Sequence, residues 1–425
     1  MAVFEDHGKT IAVFEDLESA VRSYCRTWPV VFDRAVGSWL YDEQGRPYLD
    51  YFSGAGALNY GHNNPVLKQP LLEYLSSDRV IHSLDMFTGA KREFLATFDE
   101  LILQPRGLEY RVQFPGPAGT NAVEAALKLA RKVTGRSEVI CFTNAFHGTS
   151  LGSLAVTGNA LHRGAAGVPL EHATRLPFGS RLEGAEPDFA LLDRLLDDSA
   201  GGPDEPAAVI VETVQGEGGV NVASPDWLAG LAERCGEREI PLIVDDVQMG
   251  CGRTGPFFSF EVAGITPDMV CLSKSISGYG LPLALTLIRP ELDIWEPGEH
   301  NGTFRGFNPS LVTGAAALRS YWQDDALERN SIANGGRIGA TLSALVESVT
   351  TAEIEYRGRG MVHGLSFERS ELGRKVSAAA FERGLLVETS GPQDEVVKLL
   401  PPLTVTDEEI DHGLALLTDA VHAVC

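Results

Sequence analysis

Two apolar runs in this chain end in residues that together can do chemistry. Val270-Cys271-Leu272-Ser273 delivers Lys274, and one strand–helix–strand period earlier Leu242-Ile243-Val244 delivers Asp245. Short apolar runs at that separation read as two strands of a βαβ arrangement. Open α/β sheets build their sites beyond the C-terminal ends of the strands, where both polar residues fall. A lysine so placed can form a Schiff base, and a carboxylate near it can hold a pyridinium nitrogen. Those are the two groups that pyridoxal 5′-phosphate (PLP) chemistry requires. In this reading Lys274 first binds the cofactor. Once substrate displaces it, its amine moves a proton between the substrate carbon and the cofactor. Asp245 keeps the ring nitrogen protonated, so the ring can accept electrons. Gln248, three residues on, is set to hydrogen-bond the ring's phenolic oxygen. Lys274 alone reads more simply as a surface lysine after a core strand; its neighbours in the pattern decide against that.

Those neighbours lie on other strands. Val209-Ile210-Val211 ends in Glu212 and runs on into Thr213-Val214-Gln215-Gly216-Glu217-Gly218-Gly219, whose glycines suit a tight loop around a ligand. Asn144-Ala145-Phe146-His147-Gly148 follows the run Glu138–Phe142. Phe146, at the edge of that strand, can stack on a flat ring, with His147 as a further cofactor contact. Gly116-Pro117-Ala118-Gly119-Thr120-Asn121 precedes apolar residues at helical spacing from Ala122 to Arg131. Asn121 with Glu124 three positions on has the pattern of a capping box. That predicts a helix N-terminus at which Gly119 and Thr120 bind a phosphate. No Gly-Lys-Ser or Gly-Lys-Thr follows, so this is not a P-loop.

Composition removes whole classes of function. With 425 residues, 44% hydrophobic and 22% charged, the chain is an ordinary globular protein with room for a large domain and a second one. A net charge of −23 argues against nucleic acid and against anionic membrane surfaces as partners. The six cysteines have no CxxC spacing and several lie in apolar runs, which predicts buried free thiols rather than disulfides. The histidines show no HExxH or other ligand spacing, so no metal is expected. The chain shows no signal-peptide pattern and no apolar run long enough for a bilayer, and a cytoplasmic location is expected.

The elements that must hold these residues follow from the same patterns. Strand and helix signals alternate from about residue 85 to 325, predicting an α/β fold on a mainly parallel sheet. Candidate strands include Glu138–Phe142, Ala208–Glu212, Pro241–Asp245, Met269–Ser273 and Leu283–Ile288. Trp39–Asp50 reads as a hairpin with a glycine in its turn. The expected division is 1–75 as the N-terminal part of a small α+β domain, 76–325 as the large cofactor-binding domain, and 326–425 as the C-terminal part of the small domain. Gly201–Pro206 reads as a surface loop. Ala2-Val3-Phe4-Glu5-Asp6 recurs as Ala12–Asp16, too short a match for a fold repeat, in an N-terminal extension ahead of an amphipathic helix expected near Leu17–Cys25.

With these residues in place, the chain resembles the class III (ω-amino acid type) aminotransferases over nearly its whole length. The likeness is carried by Gly45–Asp50, Gly61-His62-Asn63-Asn64-Pro65, the phosphate loop, Phe146-His147-Gly148, Glu212–Gly219, Asp245–Gly255, Ser273-Lys274 and Thr303. It implies PLP fold-type I with a seven-stranded sheet. It also implies a homodimer or larger assembly with shared active sites, Thr303 reaching the PLP phosphate of the neighbouring subunit. Longer strings are similar to the diaminobutyrate-forming branch that serves ectoine synthesis: Ser53–Pro65, His82–Met86, Leu272–Pro282 and Gly298–Gly306. That likeness implies ping-pong transfer of the amino group of L-glutamate to L-aspartate 4-semialdehyde, giving L-2,4-diaminobutyrate and 2-oxoglutarate.

Three positions depart from the family pattern. Asp246 stands where the family usually has Glu. Lys398 precedes Leu399-Leu400-Pro401-Pro402-Leu403, where many members carry an arginine that forks onto the α-carboxylate of glutamate. In such members an acid at the Glu212 position can pair with that arginine when an ω-amine is accepted. Lysine is a point charge without the fork, so the clamp is either Lys398 or another basic residue. Phe307 lies between Gly306 and Asn308, where relatives more often have Asn after Gly. Three rival readings stay open: an aminotransferase for ornithine, 4-aminobutyrate or a specialised metabolite; a semialdehyde aminomutase; and a non-catalytic binding protein on the same fold. The last has no physical need to keep Lys274, Asp245 and Gln248 together.

Overall fold

Seven short strands form the sheet that carries the site: β1 (Arg111–Gln113), β2 (Val139–Phe142), β3 (Ala173–Leu176), β4 (Ala208–Val211), β5 (Leu242–Asp245), β6 (Met269–Leu272) and β7 (Leu285–Ile288). Our computed structural model describes residues 11–179, 189–198 and 204–425. The spatial order is β1-β7-β6-β5-β4-β2-β3. β7 runs antiparallel to both its neighbours, and the pairings from β6 across to β3 are parallel. Every residue of β2, β4, β5, β6 and β7 is buried. A parallel sheet covered on both faces produces such unbroken apolar runs, and the runs read from the sequence match these five strands to within two residues. β1 and β3 are edge strands, partly exposed, with Arg111, Gln113 and Arg175 among their residues, and no apolar run marks them.

The register explains why the polar residues meet. Val244 lies opposite Val211, so Glu212 and Asp245 leave their strands side by side. Asp245 lies opposite Cys271, and the chain of β6 continues through Ser273 to Lys274. Neighbouring strands sit about 4.8 Å apart, so residues leaving adjacent ends share one small volume. Helix α1 (Gly119–Thr134) packs on β6 and β7 and brings its N-terminus to the same edge.

Segments from the two ends of the chain share sheets. Trp39–Asp42 and Pro47–Asp50 form the expected hairpin, with Gly45 at φ +80° in the turn. Leu385–Leu386 extends it in parallel beside Pro47–Asp50. A second sheet orders Ile354–Arg359, Val362–Phe367, Val396–Leu399 and Glu388–Ser390, all antiparallel. In it Lys398 stands directly opposite Glu388. Arg253, with no exposed surface, ties three regions together by donating to Asn59 Oδ1, Met361 O and Pro401 O. The Arg253-Thr254-Gly255 string thus contains a structural cross-link.

The helix expected over Leu17–Cys25 does not form. Residues 11–17 are helical, the chain then loses regular structure, and Tyr24–Thr27 makes a single turn. Leu17 and Val21 are 82% and 88% exposed, so that face has no apolar surface to bury against. The chain is held by rings instead: Tyr24 and Trp28 pack on Phe52 at 4.8 and 5.0 Å between centroids. The first copy of the Ala-Val-Phe-Glu-Asp string and residues 201–203 of the expected loop lie outside the described residues; Asp204–Pro206 have no regular structure. All six cysteines are free, four of them buried and Cys25 exposed. Among the described residues no helix is long and apolar enough to cross a membrane.

Candidate active site

Lys274 follows β6 directly and opens a short 3₁₀ turn, Lys274–Ser277, with φ +52°. A side chain at a left-handed φ is strained by roughly 1 kcal/mol or more, a cost characteristic of functional sites. No hydrogen-bond partner for its amine exists among the described residues. Burial pushes that amine below the usual lysine range, Lys398 pushes it the same way, and Glu217 opposes them.

Asp245, 6% exposed, ends β5. Its Oδ2 lies 2.7 Å from His147 Nδ1, and its Oδ1 accepts the Val247 N–H at 3.1 Å. His147 is itself buried, and its Nε2 has no partner among the described residues. A carboxylate has about four acceptor positions, so these two contacts orient Asp245 and leave it able to accept from a ligand. Glu212 lies beside it, 7% exposed, accepting the Phe146 N–H at 3.0 Å. Burial, and then the charge of Asp245, hold the Glu212 carboxyl well above the usual range. The Phe146 ring is half-buried and meets His162 edge-on at 5.4 Å.

The phosphate loop differs from the expected cap in one respect. The helix begins three residues earlier, with Ala118 as N-cap and Asn121 at the third helical position, its Oδ1 accepting the Ala118 N–H at 3.0 Å. Alanine has no oxygen to cap the first turn, so the Gly119 and Thr120 N–H groups have no acceptor among the described residues. Such a turn is an anion site. Glu124, read as the cap's partner, instead accepts from Ser150 Oγ and Ser153 N, tying the next loop to the helix. Thr120 Oγ1 bonds to Ser150 and Ser153.

Gln248 has its amide nitrogen engaged by the protein. Its Nε2 donates to Ala55 O at 3.0 Å and to Glu217 Oε1 at 2.9 Å, leaving the buried Oε1 without a donor. With both amide hydrogens taken, the free atom is an acceptor and would need a donor on the ligand.

The acid that meets Lys398 is Glu217, not Glu212. Lys398 Nζ, with no side-chain exposure, lies 2.7 Å from Glu217 Oε1 and 3.0 Å from Glu388 Oε1. Glu212 accepts from the Phe146 N–H beside Asp245 and makes no ion pair with Lys398 among the described residues. Burial alone would raise the Glu217 carboxyl, but Lys398, Lys274 and the Lys398 and Gln248 hydrogen bonds outweigh it and hold Glu217 at about 2. Burial pushes Glu388 up to about 7, against the pull of Lys398. Tyr24 Oη donates to Glu388 Oε2 at 3.3 Å. Sequence reasoning missed Glu388; the available signal was an acid directly after the apolar string Leu385–Val387. Thr303 stands apart from this cluster, exposed, its carbonyl 2.6 Å from His82 Nε2.

These residues fit PLP. The free amine, the oriented carboxylate, the uncapped helix turn and the orphaned Gln248 oxygen offer complementary partners. The loop glycines keep the space open: a Cβ on Gly216 would fall 1.7 Å from Gln248 Oε1, and one on Gly119 2.8 Å from Val247 Cγ1. Among the described residues no group of three His, Cys, Asp or Glu could hold a metal ion.

The chain is similar to known proteins over nearly its whole length. The family model described as aminotransferase class-III matches residues 21–421. A diaminobutyrate–2-oxoglutarate transaminase of Nocardia farcinica is 63% identical over 97% of this chain and 94% of its own length. A protein of the same name from Halalkalibacterium halodurans is 53% identical over 97% and 96%. Among solved structures, ornithine aminotransferase from Toxoplasma gondii superposes with a TM-score of 0.85 at 24% identity, covering 98% of this chain and 95% of that one. Acetylornithine aminotransferase from Elizabethkingia anophelis gives 0.79 at 24% identity, covering 98% and 99%. At that identity the two structures show the fold alone. With the family model spanning nearly the whole chain and relatives this similar along their full length, the chain belongs to the class III aminotransferases.

Proposed function

We propose that this aminotransferase exchanges an amino group between L-glutamate and L-aspartate 4-semialdehyde, giving L-2,4-diaminobutyrate and 2-oxoglutarate. The reading is carried by near-full-length identity of 63% with a relative of that name, joined to a site whose Lys398 is already matched by two acids. A place in ectoine synthesis and a cytoplasmic location belong to the same reading.

PLP, the family's cofactor, supplies when bound a carbonyl that condenses with an amine and a ring that takes up the electron pair released with a substrate proton. The chain's residues supply the rest. Lys274 takes the proton from the substrate carbon and returns it on the other side of the exchange; its lowered proton affinity leaves more of the amine free as a base. Asp245, oriented by His147 and the Val247 N–H, would hold the ring nitrogen in its protonated form. Burial and the charge of Asp245 raise the Glu212 carboxyl, which disfavours a second charge beside Asp245. The first turn of α1, with Gly119 and Thr120, would hold the phosphate, and Phe146 would cover the ring. Lys398 meets a substrate carboxylate when Glu217 gives way, and stays paired with Glu217 when an amine-bearing end enters.

The protein is proposed to work as a homodimer or larger assembly, with Thr303 of the partner subunit completing the phosphate site. Support comes from the surface around Thr303: Phe304, Met86 and Phe87 are exposed, Phe87 fully. Exposed apolar side chains of this size are the kind an interface would cover.

The test is the visible spectrum of the purified enzyme before and after L-2,4-diaminobutyrate alone. The cofactor's colour should bleach, and 2-oxoglutarate should restore it. A coloured enzyme that ignores diaminobutyrate but responds to ornithine or 4-aminobutyrate overturns the substrate.

A further inference from the structure

Lys398 has two carboxylates around it, so these three groups carry one positive and two negative formal charges. The acids differ in kind. Glu217 is 28% exposed, receives the Gln248 amide and lies on a glycine-rich loop rather than a strand. Glu388 is 3% exposed and lies on a strand, directly opposite Lys398 in the ladder, so the backbone fixes the pair. Its Oε1 faces the Lys398 charge with no hydrogen-bond donor, and its Oε2 is held by Tyr24 Oη.

The charges facing Glu388 are therefore Lys398 beside it in the sheet, Glu217 from the loop after β4, and Lys274 from the turn after β6; Tyr24 supplies a neutral hydroxyl from the N-terminal segment. When Glu217 moves aside for a substrate carboxylate, Glu388 stays and still offsets part of the Lys398 charge. When a diamino substrate enters, both acids stay and leave the cluster with a surplus negative charge. The two substrates differ in just this respect: glutamate carries a second carboxylate, diaminobutyrate a second ammonium.

We propose that Glu388 is a specificity-determining residue, which biases this site against dicarboxylates and toward substrates with a second ammonium group. The amine half rests on the proposed diaminobutyrate substrate; the dicarboxylate half does not. Its partial protonation near neutral pH, with burial pushing it up to about 7, limits the penalty that glutamate meets.

The test is Glu388→Gln in the holoenzyme, which keeps the shape and removes the charge. Binding of glutarate, a dicarboxylate without an amine, is followed by calorimetry. The half-reactions with glutamate alone and with L-2,4-diaminobutyrate alone are followed by cofactor colour. A like or unlike charge a few ångströms away in a partly buried site is worth at least about tenfold in binding. Glutarate and glutamate should therefore bind about tenfold more tightly, and diaminobutyrate about tenfold more weakly. Tyr24→Phe, which removes only the hydroxyl that favours the charged form of Glu388, should move all three in the same directions by less. Affinities that all fall together, or a dicarboxylate-to-diamine ratio that does not change, overturn the proposal. If wild type ignores diaminobutyrate altogether, the proposed substrate fails, and the glutarate measurement decides the role of Glu388.

Discussion

Replacing Lys398 by methionine removes the cation that ion-pairs with two acids in the interior. Methionine fills nearly the same volume, so packing changes little and the loss is electrostatic. Afterwards Glu217 keeps only the Gln248 amide and Glu388 only the Tyr24 hydroxyl. Breaking a buried ion pair from one side costs about 3–5 kcal/mol. With an unfolding entropy of about 2.1 cal/mol/K per residue, a chain this long loses about 3–6 °C in Tm for that energy. The pH dependence carries the sharper signature. In the wild type Glu217 is held at about 2, below its unfolded value, so its stabilising share is fully present above the ordinary carboxylate range and is lost as pH falls through about 2. Without Lys398, burial raises both acids. A raised carboxyl makes the folded state bind protons more tightly, so its penalty fades as pH falls. The deficit of Lys398→Met relative to wild type should therefore be largest at pH 8 and shrink toward pH 6. Thermal melts across that range measure it, and the Lys398→Met, Glu388→Gln double variant should recover part of the loss. A deficit below about 1 kcal/mol, the size of an exposed ion pair, would refute the buried triad. So would a deficit that does not change with pH.

Three further perturbations probe other parts of the structure. Lys274→Ala should abolish reductive trapping of the cofactor by borohydride and lower both half-reactions by at least about 10²–10⁴-fold; retained trapping would point to another lysine. Gly216→Ala forces a methyl into Gln248 and should cost about 1–3 kcal/mol by thermal melt, with weaker cofactor binding by equilibrium dialysis; an unchanged dissociation constant would separate this loop from the cofactor site. Phe87→Asp puts a charge on the fully exposed ring beside the Thr303 segment and should shift the assembly toward monomer in sedimentation velocity; an unaltered sedimentation coefficient would place the interface elsewhere.

Much of the site was legible before any coordinates because the sheet is parallel and buried on both faces. Burial demands unbroken apolar runs, and the first polar residue after such a run leaves the strand at the edge where sites are built. That is why Glu212, Asp245 and Lys274 stood out as a set. The same logic is silent at the sheet's margins. β1 and β3 have one neighbour each and carry arginines, and no run separates them from loop. A capping pattern was equally ambiguous: Asn121 and Glu124 have the right spacing, yet the helix starts earlier and each side chain finds another partner.

The sequence by itself determined the strand ends, the lysine and carboxylate chemistry, and the family, since these rest on local runs and spacings that survive in one dimension. Tertiary structure decided which charges meet. Lys398 and Glu217 are 181 positions apart, and only the packing of the antiparallel sheet against the loop after β4 brings their side chains to 2.7 Å. Glu388 meets Lys398 through strand register, which a one-residue slip would reverse. Periodicity can say that a side chain points inward; it cannot say which distant element supplies the opposing charge, because that depends on how the sheets and loops close on one another.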